Sequence, residues 1–484
     1  MGISSMLTIV ASIVRSKVFA LLIGRAGVGT WSLLSSVLEV SVTLSSFGMG
    51  AVTVRELAPR VRDGDRQGLA ELRSAIAITI GTLSMLLIVI LFLGRDWIAA
   101  RVLHAPELAW MIPWLGVGLV LRNGLSILRA WLNGYREIRK IALTEGIGAL
   151  WMAPVGVVSV SVLGMNGVLP ALVLAPAAGF FAALYFLRRR ESAIRLPWAL
   201  SNLGPMLRRI LPLGGAVMIS SFVEMLGRLG ALSVISADFG ESGVGLIHSG
   251  WSIASMYMGF VLSAMAVDYL PRLSAASNDD ERVAMINETL LASWVLILPL
   301  TLMIYTAAPW VLQLLYSSEF AAASESLRWQ LVGDLFKVPV WLFAYLLIAR
   351  GRSLSYLVKQ LIAQLCIVGG TYVLLPRLGL VGFGLAFALG QLATAIYLFW
   401  EARRLTAFVA ERQTLRVFGM GVLAFSGMVF ATYALPEGPA FISMAIVTVL
   451  TSAVCARILW KALEGDARRI PVIGRLIASI SRRR

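Results

Sequence analysis

Charge is scarce in this chain. Of its 484 residues only 14% are Asp, Glu, Lys or Arg, against 58% hydrophobic, and the mean hydropathy is +0.83. Soluble globular chains carry about 25% charged and about 45–50% apolar residues, so a water-soluble enzyme with a large core is excluded and a bilayer is the expected solvent. Negative charge is scarcer than positive, 26 Asp and Glu against 42 Lys and Arg, for a formal net charge of +16. In a soluble protein that excess suggests nucleic-acid binding; in a membrane protein it marks cytoplasmic loops, and the positions of the charges decide between the two. The only cysteines, Cys366 and Cys455, sit inside apolar runs, which excludes a disulfide-stapled secreted domain. The only histidines, His104 and His248, have no partner at metal-ligand spacing and read as structural. A Gly-rich P-loop, zinc-type Cys/His spacing and a G-x-S-x-G turn are all absent. ATP hydrolysis is therefore excluded, and neither catalytic residues nor a metal or cofactor is expected. No basic n-region precedes the first apolar run and no small-residue cleavage site follows it, so that run is expected to stay in the mature protein.

What the chain has instead is apolar length. Runs of about 20 residues occur at 3–24, 28–54, 72–94, 108–131, 141–163, 168–187, 210–235, 243–268, 287–306, 328–349, 354–375, 379–400, 414–435 and 440–460. These fourteen runs predict an all-α polytopic membrane protein. With the N-terminus placed in the cytoplasm, and basic residues at the soft ends of the runs counted with the adjoining connections, 31 of the 42 fall to the cytoplasmic connections and tail, five to outside connections (Arg25, Arg95, Arg101, Arg328, Arg377) and six to the spans. That asymmetry is a strong positive-inside signal and vanishes if one span is added or removed midway, so both termini are expected inside. It also removes any need for a nucleic-acid partner. The longest outside connections, 95–107 and 307–327, are too small to hold an acceptor and acid/base residues, which excludes a membrane glycosyltransferase or polysaccharide polymerase.

The chain resembles itself. Gly27-Val28-Gly29 opens the second run and Gly243-Val244-Gly245 the eighth, an offset of 216, and the exits VRELAPRVRDGD (54–65) and LPRLSAASNDDE (270–281) correspond at the same offset. Asn133-Gly134-Tyr135-Arg136 matches Arg350-Gly351-Arg352, and Gly167 matches Gly382, at offsets of about 217 and 215. Six spans per unit is an even number, so the halves enter the membrane from the same side. Two parallel six-helix repeats, 1–205 and 206–405, are expected, with a substrate path between them near the midplane. Two extra helices follow in 406–464 and a basic tail in 465–484. In that tail Ile470, Ile473, Leu476, Ile477 and Ile480 recur at helical spacing among arginines, as in an amphipathic helix anchored on an anionic leaflet.

Ionised groups at mid-bilayer are costly and tend to face a cavity or a partner. The basic ones are Arg15 and Lys17 in the first span, Arg122 and Arg129 in the fourth, Arg228 in the seventh and Lys337 in the tenth; the acidic ones are Glu39, Glu224 and Asp334, with Glu145 and Asp268 nearer the cytoplasmic ends. Without Arg129, whose position lets it snorkel, the deep group carries +2, so a basic lumen with embedded carboxylates is expected. Glu224 and Arg228 are four apart, and Asp334 and Lys337 three apart, so each couple is either self-neutralising or cavity-facing. Arg15 and Lys17, two apart, point to different faces. Arg122 precedes Lys337 by 215 residues, which puts cations at corresponding depths of the two repeats. Glu39 has no basic residue three or four positions away: it either pairs with Arg15 or Lys17 of the neighbouring helix or carries a proton or Na+, and the two readings are compatible. Trp31, Trp97, Trp110, Trp114, Trp310 and Trp329 cluster at outer boundaries, as an aromatic belt does.

The stretch LLIGRAGVGTWSLLSSVLEV followed by FGMGAVTVRELA resembles the opening of the polysaccharide-transporter flippases of the multidrug/oligosaccharidyl-lipid/polysaccharide (MOP) superfamily. SGVGLIHSGWSIAS with its exit YLPRLS resembles the second-half landmark of that family, and NGYREIRKIAL its short cytoplasmic hairpin. The resemblance covers nearly the whole chain. It implies a V-shaped, two-lobed transporter of the inner membrane that flips undecaprenyl-diphosphate-linked oligosaccharide for O-antigen, capsule or exopolysaccharide synthesis. It further implies alternating access, with a polysaccharide polymerase and a chain-length regulator as protein partners. By location Arg15, Lys17 and Arg122 match the family's diphosphate-holding cations, with Arg228 and Lys337 beside them, and Glu39, Glu224 and Asp334 are the candidates for ion coupling. The second span here departs from the pattern, carrying Glu39 and no deep Arg. The alternative is a proton- or sodium-coupled small-molecule exporter of the same superfamily, which normally has twelve spans and an acidic cation site; the surplus spans and the basic lumen argue against it. A non-transporting scaffold would have no reason to keep ionisable groups at mid-depth.

Overall fold

The computed structural model describes residues 2–189 and 203–463, so the basic tail read at 465–484 lies outside the described residues. Helices make up the described chain and no strand occurs among those residues. The main helices are α1 (Gly2–Leu22), α2 (Gly24–Ser46), α3 (Met49–Asp63), α4 (Arg66–Leu93), α5 (Leu115–Gly134), α6 (Ile138–Leu163), α7 (Val168–Leu174), α8 (Ala177–Arg188), α9 (Leu203–Ala275), α10 (Asp279–Thr306), α11 (Ala308–Leu315), α12 (Ser324–Ala349), α13 (Ser353–Leu378), α14 (Val381–Thr406), α15 (Arg412–Ala434) and α16 (Glu437–Leu463). Among the described residues, 11 helices are long and apolar enough to cross a membrane. Two of these, Ile138–Arg188 and Met218–Gly259, each carry two of the runs read from the sequence, and α1 carries the first run. Large apolar side chains such as Phe92, Val162, Leu365, Leu423 and Val449 stand on the outside, an exposure that only lipid satisfies.

Several runs are interrupted where hydropathy alone is continuous. The run 28–54 stops at Ser46, where Phe47 (φ 46°) and Gly48 (φ 66°) are both left-handed, and resumes as α3. The run 168–187 is split at Ala175-Pro176, proline lacking the N–H that a continuous helix needs. The run 108–131 becomes helical only at Leu115. In α9 the seventh and eighth runs are separated by Gly240 (φ 61°, ψ −167°), a backbone conformation open essentially to glycine. Helix starts are capped where they meet water: Asp65 accepts from the Gly68 N–H at 2.8 Å, and Asn278 from the Glu281 N–H at 2.8 Å while Glu281 reaches back to the Ser277 N–H at 2.9 Å. Caps of this kind contribute about 1 kcal/mol each.

The chain forms two compact units. The first comprises Met1–His248 with Gln313–Phe320. Within it α1 lies along α6, α3 along α5, and α6 along α8. Glycines let these helices approach: a Cβ on Gly148 of α6 would lie 3.7 Å from the Cα of Gly179 on α8. Met49, Leu57, Leu72, Ile76 and Ile210 make a solvent-free core, and beside it buried Glu56 accepts from Arg60 at 2.7 Å and pairs with Arg209 at 3.0 Å. The two repeat landmarks meet in this unit. A Cβ on Gly29 would fall 1.8 Å from the Glu241 carbonyl oxygen, and one on Gly245 would fall 2.0 Å from the Arg25 carbonyl oxygen. Arg25 and Glu241, like Gly29 and Gly245, are separated by the repeat offset of 216, so the contact is reciprocal, as a two-fold relation requires.

The second unit comprises Ser249–Leu312 and Ala321–Arg484. Its centre is α14, packed on α12 and α13. Here too glycine sets the spacing, a Cβ on Gly333 lying 2.9 Å from the Ala388 Cα and one on Gly370 lying 2.9 Å from the Ala386 Cβ. Small residues at such crossings are how helices associate in lipid, where burial of apolar surface supplies little drive. The surplus helices α15 and α16 pack on α10 through Trp294 against Phe418 and a Thr306–Thr448 hydrogen bond of 2.9 Å. Buried Asn287 ties down their lead-in by donating to the Val409 carbonyl at 2.9 Å and accepting from the Glu411 N–H at 2.8 Å.

Candidate functional site

In the first unit three helices bring charge together. Glu39 projects from α2, Arg122 from α5, and Arg228 from the part of α9 before Gly240. Arg228 Nη1 donates to Glu39 Oε2 at 3.3 Å, and Arg122 Nη2 stands 3.9 Å from Glu39 Oε1. One carboxylate thus serves two guanidiniums and the local balance stays positive. Arg15 approaches from α1: its guanidinium lies 4.4 Å from the Trp31 ring centroid and its Nη1 donates to Met152 Sδ at 3.1 Å. Trp31 is in turn fixed edge-on by Phe19, with ring centroids 5.3 Å apart. Glycine makes room for Arg15, since a Cβ on Gly156 would sit 3.0 Å from its Cγ. His248 is within electrostatic reach of Arg228 and Arg15, and Arg15 of Arg122.

In the second unit Asp334, fully buried on α12, accepts a 2.5 Å hydrogen bond from the Tyr257 hydroxyl, which itself accepts from Thr301 at 3.3 Å. Lys337 Nζ, three residues on, lies 3.8 Å from Asp334 Oδ1 and 5.8 Å from the Phe387 ring centroid. Ser326 and Gln330 precede Asp334 at four-residue steps on the same face of α12, and both are buried.

Several of the residues singled out by sequence occupy different positions from those expected. Glu39 takes its cations from α5 and α9, because Arg15 is engaged by Trp31 and Met152 and Lys17 donates to the Gln313 carbonyl at 2.9 Å. Arg228 reaches Glu39 across 189 positions, and Glu224 is exposed. Asp334 and Lys337 pair along their own helix. Arg122 and Lys337, set on corresponding helices of the repeats, each face a carboxylate at nearly equal distance, supplied by α2 in one unit and by α12 itself in the other. Trp31 lies buried under Arg15 and is not part of a belt, whereas Trp97, Trp110, Trp114 and Trp310 are exposed. Tyr257 escaped sequence reasoning, since a lone Tyr in an apolar run carries no spacing signal, and His248 read only as structural.

Comparison with known proteins gives a consistent result. Residues 18–325 match the family described as polysaccharide biosynthesis protein. The chain is similar to the lipid III flippase of Escherichia coli (strain K12), 22% identical over 412 residues that span 83% of this chain and 97% of that protein. Its fold is similar to that of the lipid II flippase MurJ in an inward closed conformation, with a TM-score of 0.72, 13% identity, and 96% and 99% of the two chains covered. It is also similar to an inward-facing multidrug-resistance MATE family transporter of the MOP superfamily, with a TM-score of 0.71, 18% identity, and 83% and 94% covered.

Proposed function

Because the chain belongs to the polysaccharide biosynthesis protein family, we propose that it is a transporter, not an enzyme, that moves lipid-linked oligosaccharide across the inner membrane. The observation that carries this reading is the pair of guanidiniums held on Glu39 at 3.3 and 3.9 Å. Two half-buried cations side by side repel each other, and Glu39 offsets that repulsion while the site awaits its ligand. A diphosphate offers more acceptor oxygens than one carboxylate, and the planar guanidinium fork suits phosphate oxygens in charge-assisted pairs. Exchange of Glu39 for the diphosphate therefore keeps Arg122 and Arg228 satisfied at each stage, with Arg15 and Lys17 adding positive charge on α1.

The similarity to lipid II and lipid III flippases supports a lipid-linked glycan as cargo. In this reading the carrier is undecaprenyl diphosphate, the product feeds O-antigen, capsule or exopolysaccharide synthesis, and a polymerase and chain-length regulator act next. Both termini lie in the cytoplasm. Coupling to a proton, Na+ or the membrane potential acts through Asp334, Glu39 or Glu224; the Thr301–Tyr257–Asp334 chain of hydroxyls ending on a buried carboxylate supports Asp334 first.

A proteoliposome assay tests the function: saturable flipping of glycan-linked undecaprenyl diphosphate is expected, with no movement of a neutral glycolipid. Equal, unsaturable movement of both would overturn it. In cells, Arg122→Ala combined with Lys337→Ala is expected to abolish surface glycan while protein level is unchanged, and normal glycan output would refute the site assignment.

A further inference from the structure

The first unit has a second feature, on the opposite side of α5 from Arg122. A cavity of about 470 Å³ runs between α4, α5 and α8, lined along α4 from Arg73 to Ile88 and along α5 from Val120 to Trp131, with Phe180 of α8 as its far wall. Arg73, at the end nearest the α3–α4 turn, is the one charged residue in a lining that is otherwise almost wholly apolar. The floor is a polar knot: Asn123 donates to Ser45 at 2.7 Å and Ser84 at 3.0 Å, one position along α5 from Arg122. Gly81 opens the groove, since a Cβ there would meet nothing within 4 Å.

We propose that this groove seats the polyprenyl chain of the lipid-linked substrate, with Arg73 facing the phosphate end; the proposal rests on the function argued above. Length separates this occupant from an ordinary phospholipid. The fifteen steps of α4 from Arg73 to Ile88 rise about 22 Å, whereas one leaflet offers about 15 Å, half of a hydrocarbon core of about 30 Å. A single chain that continues past the midplane matches this length, whereas an acyl chain confined to one leaflet leaves the far end empty. One cation at the end of an apolar channel is the charge pattern that a polyprenyl phosphate or diphosphate complements. Arg73 and Arg122 lie on opposite sides of α5, so the lipid occupies this seat before or after its diphosphate is on Arg122.

The full-length protein is reconstituted in vesicles with a polyprenyl diphosphate bearing a photoreactive group on its terminal isoprene, and the labelled peptides are mapped by mass spectrometry. Label is expected within 73–88 and 120–131, displaced by unlabelled polyprenyl diphosphate and not by phosphatidylglycerol at the same mole fraction. Gly81→Leu, whose Cβ meets nothing within 4 Å, extends its side chain into the groove and should lower that labelling about tenfold, whereas Gly81→Ala, which leaves most of the space, should label as the unaltered chain does. Label spread evenly over other lipid-facing helices, equal competition by phosphatidylglycerol, or undiminished labelling of Gly81→Leu would each overturn the proposal. Flipping of a glycan-linked lipid is read in the same vesicles. A labelled groove without flipping refutes the function and leaves the tail site standing, and flipping with an unlabelled groove refutes the tail site alone.

Discussion

Glu39 ties the first charge cluster together, because it contacts both Arg122 and Arg228. Glu39→Ala removes the carboxylate that the two guanidiniums share. Their side chains are 37% and 23% exposed, so water screens part of the repulsion. The cost falls below the roughly 3–5 kcal/mol of breaking a fully buried pair, to about 1–2 kcal/mol. Arg122→Ala keeps the shorter Arg228 contact and should cost less. Thermal unfolding of the detergent-solubilised variants checks the order, and a Glu39→Ala midpoint above that of Arg122→Ala would refute it. The depth of these residues was legible in the sequence, since charges are rare in apolar runs, but their pairing was not. Spacing along a helix reports neighbours on that helix, which matches the Asp334–Lys337 contact but is silent about the contact of Arg228 with Glu39 on α2. Arg15 shows the same limit from another side, since what fixes it is an aromatic face and a thioether, groups that charge counting ignores.

Between elements, the closest approaches are set by glycine. The crossing of Gly29 and Gly245 allows no side chain, because a Cβ at either position would overlap a carbonyl oxygen of the other strand of chain at 1.8 or 2.0 Å. Gly29→Ala and Gly245→Ala must therefore push α2 and α9 apart, an overpacking cost of about 1–3 kcal/mol each. Gly419→Ala on α15, where nothing lies within 4 Å, serves as the control and should be neutral or slightly stabilising through helix propensity. Equal unfolding midpoints for all three variants would contradict the crossing. Asn287→Ala should loosen α15, because the Glu411 N–H loses its acceptor, a cost of about 1–3 kcal/mol read as early hydrogen exchange at the start of that helix. Hydropathy was sufficient to find the elements here. The recurrence of Gly-Val-Gly was visible in the sequence too, but its physical content, two landmarks meeting each other, needed coordinates. The breaks at Phe47–Gly48 and Ala175–Pro176 were both hidden, because hydropathy is continuous across each.

For the molecule as a whole, the excess of positive charge is a statement about topology. Basic residues cluster on alternate connections of the chain, and the positive-inside rule converts that alternation into sidedness. The first unit offers a clean check, because α4 is a single helix between two exposed positions, Gln67 near its start and Glu107 in the connection after it. In a chain whose Cys366 and Cys455 have been replaced, Gln67→Cys should react with a membrane-impermeant maleimide only after cells are permeabilised. Glu107→Cys should react in intact cells. The reasoning depends on parity: one span more or fewer before residue 66 inverts both results, and the prediction therefore tests the reading of α1, α2 and α3 as well as the orientation. The outcome for α3 is the most informative part. If α3, with its break at Phe47–Gly48 and its Arg55, Arg60 and Arg62, carries the second span out toward the cytoplasm without crossing again, Gln67→Cys stays protected in intact cells. Were it an independent crossing, Gln67→Cys would be the residue labelled from outside.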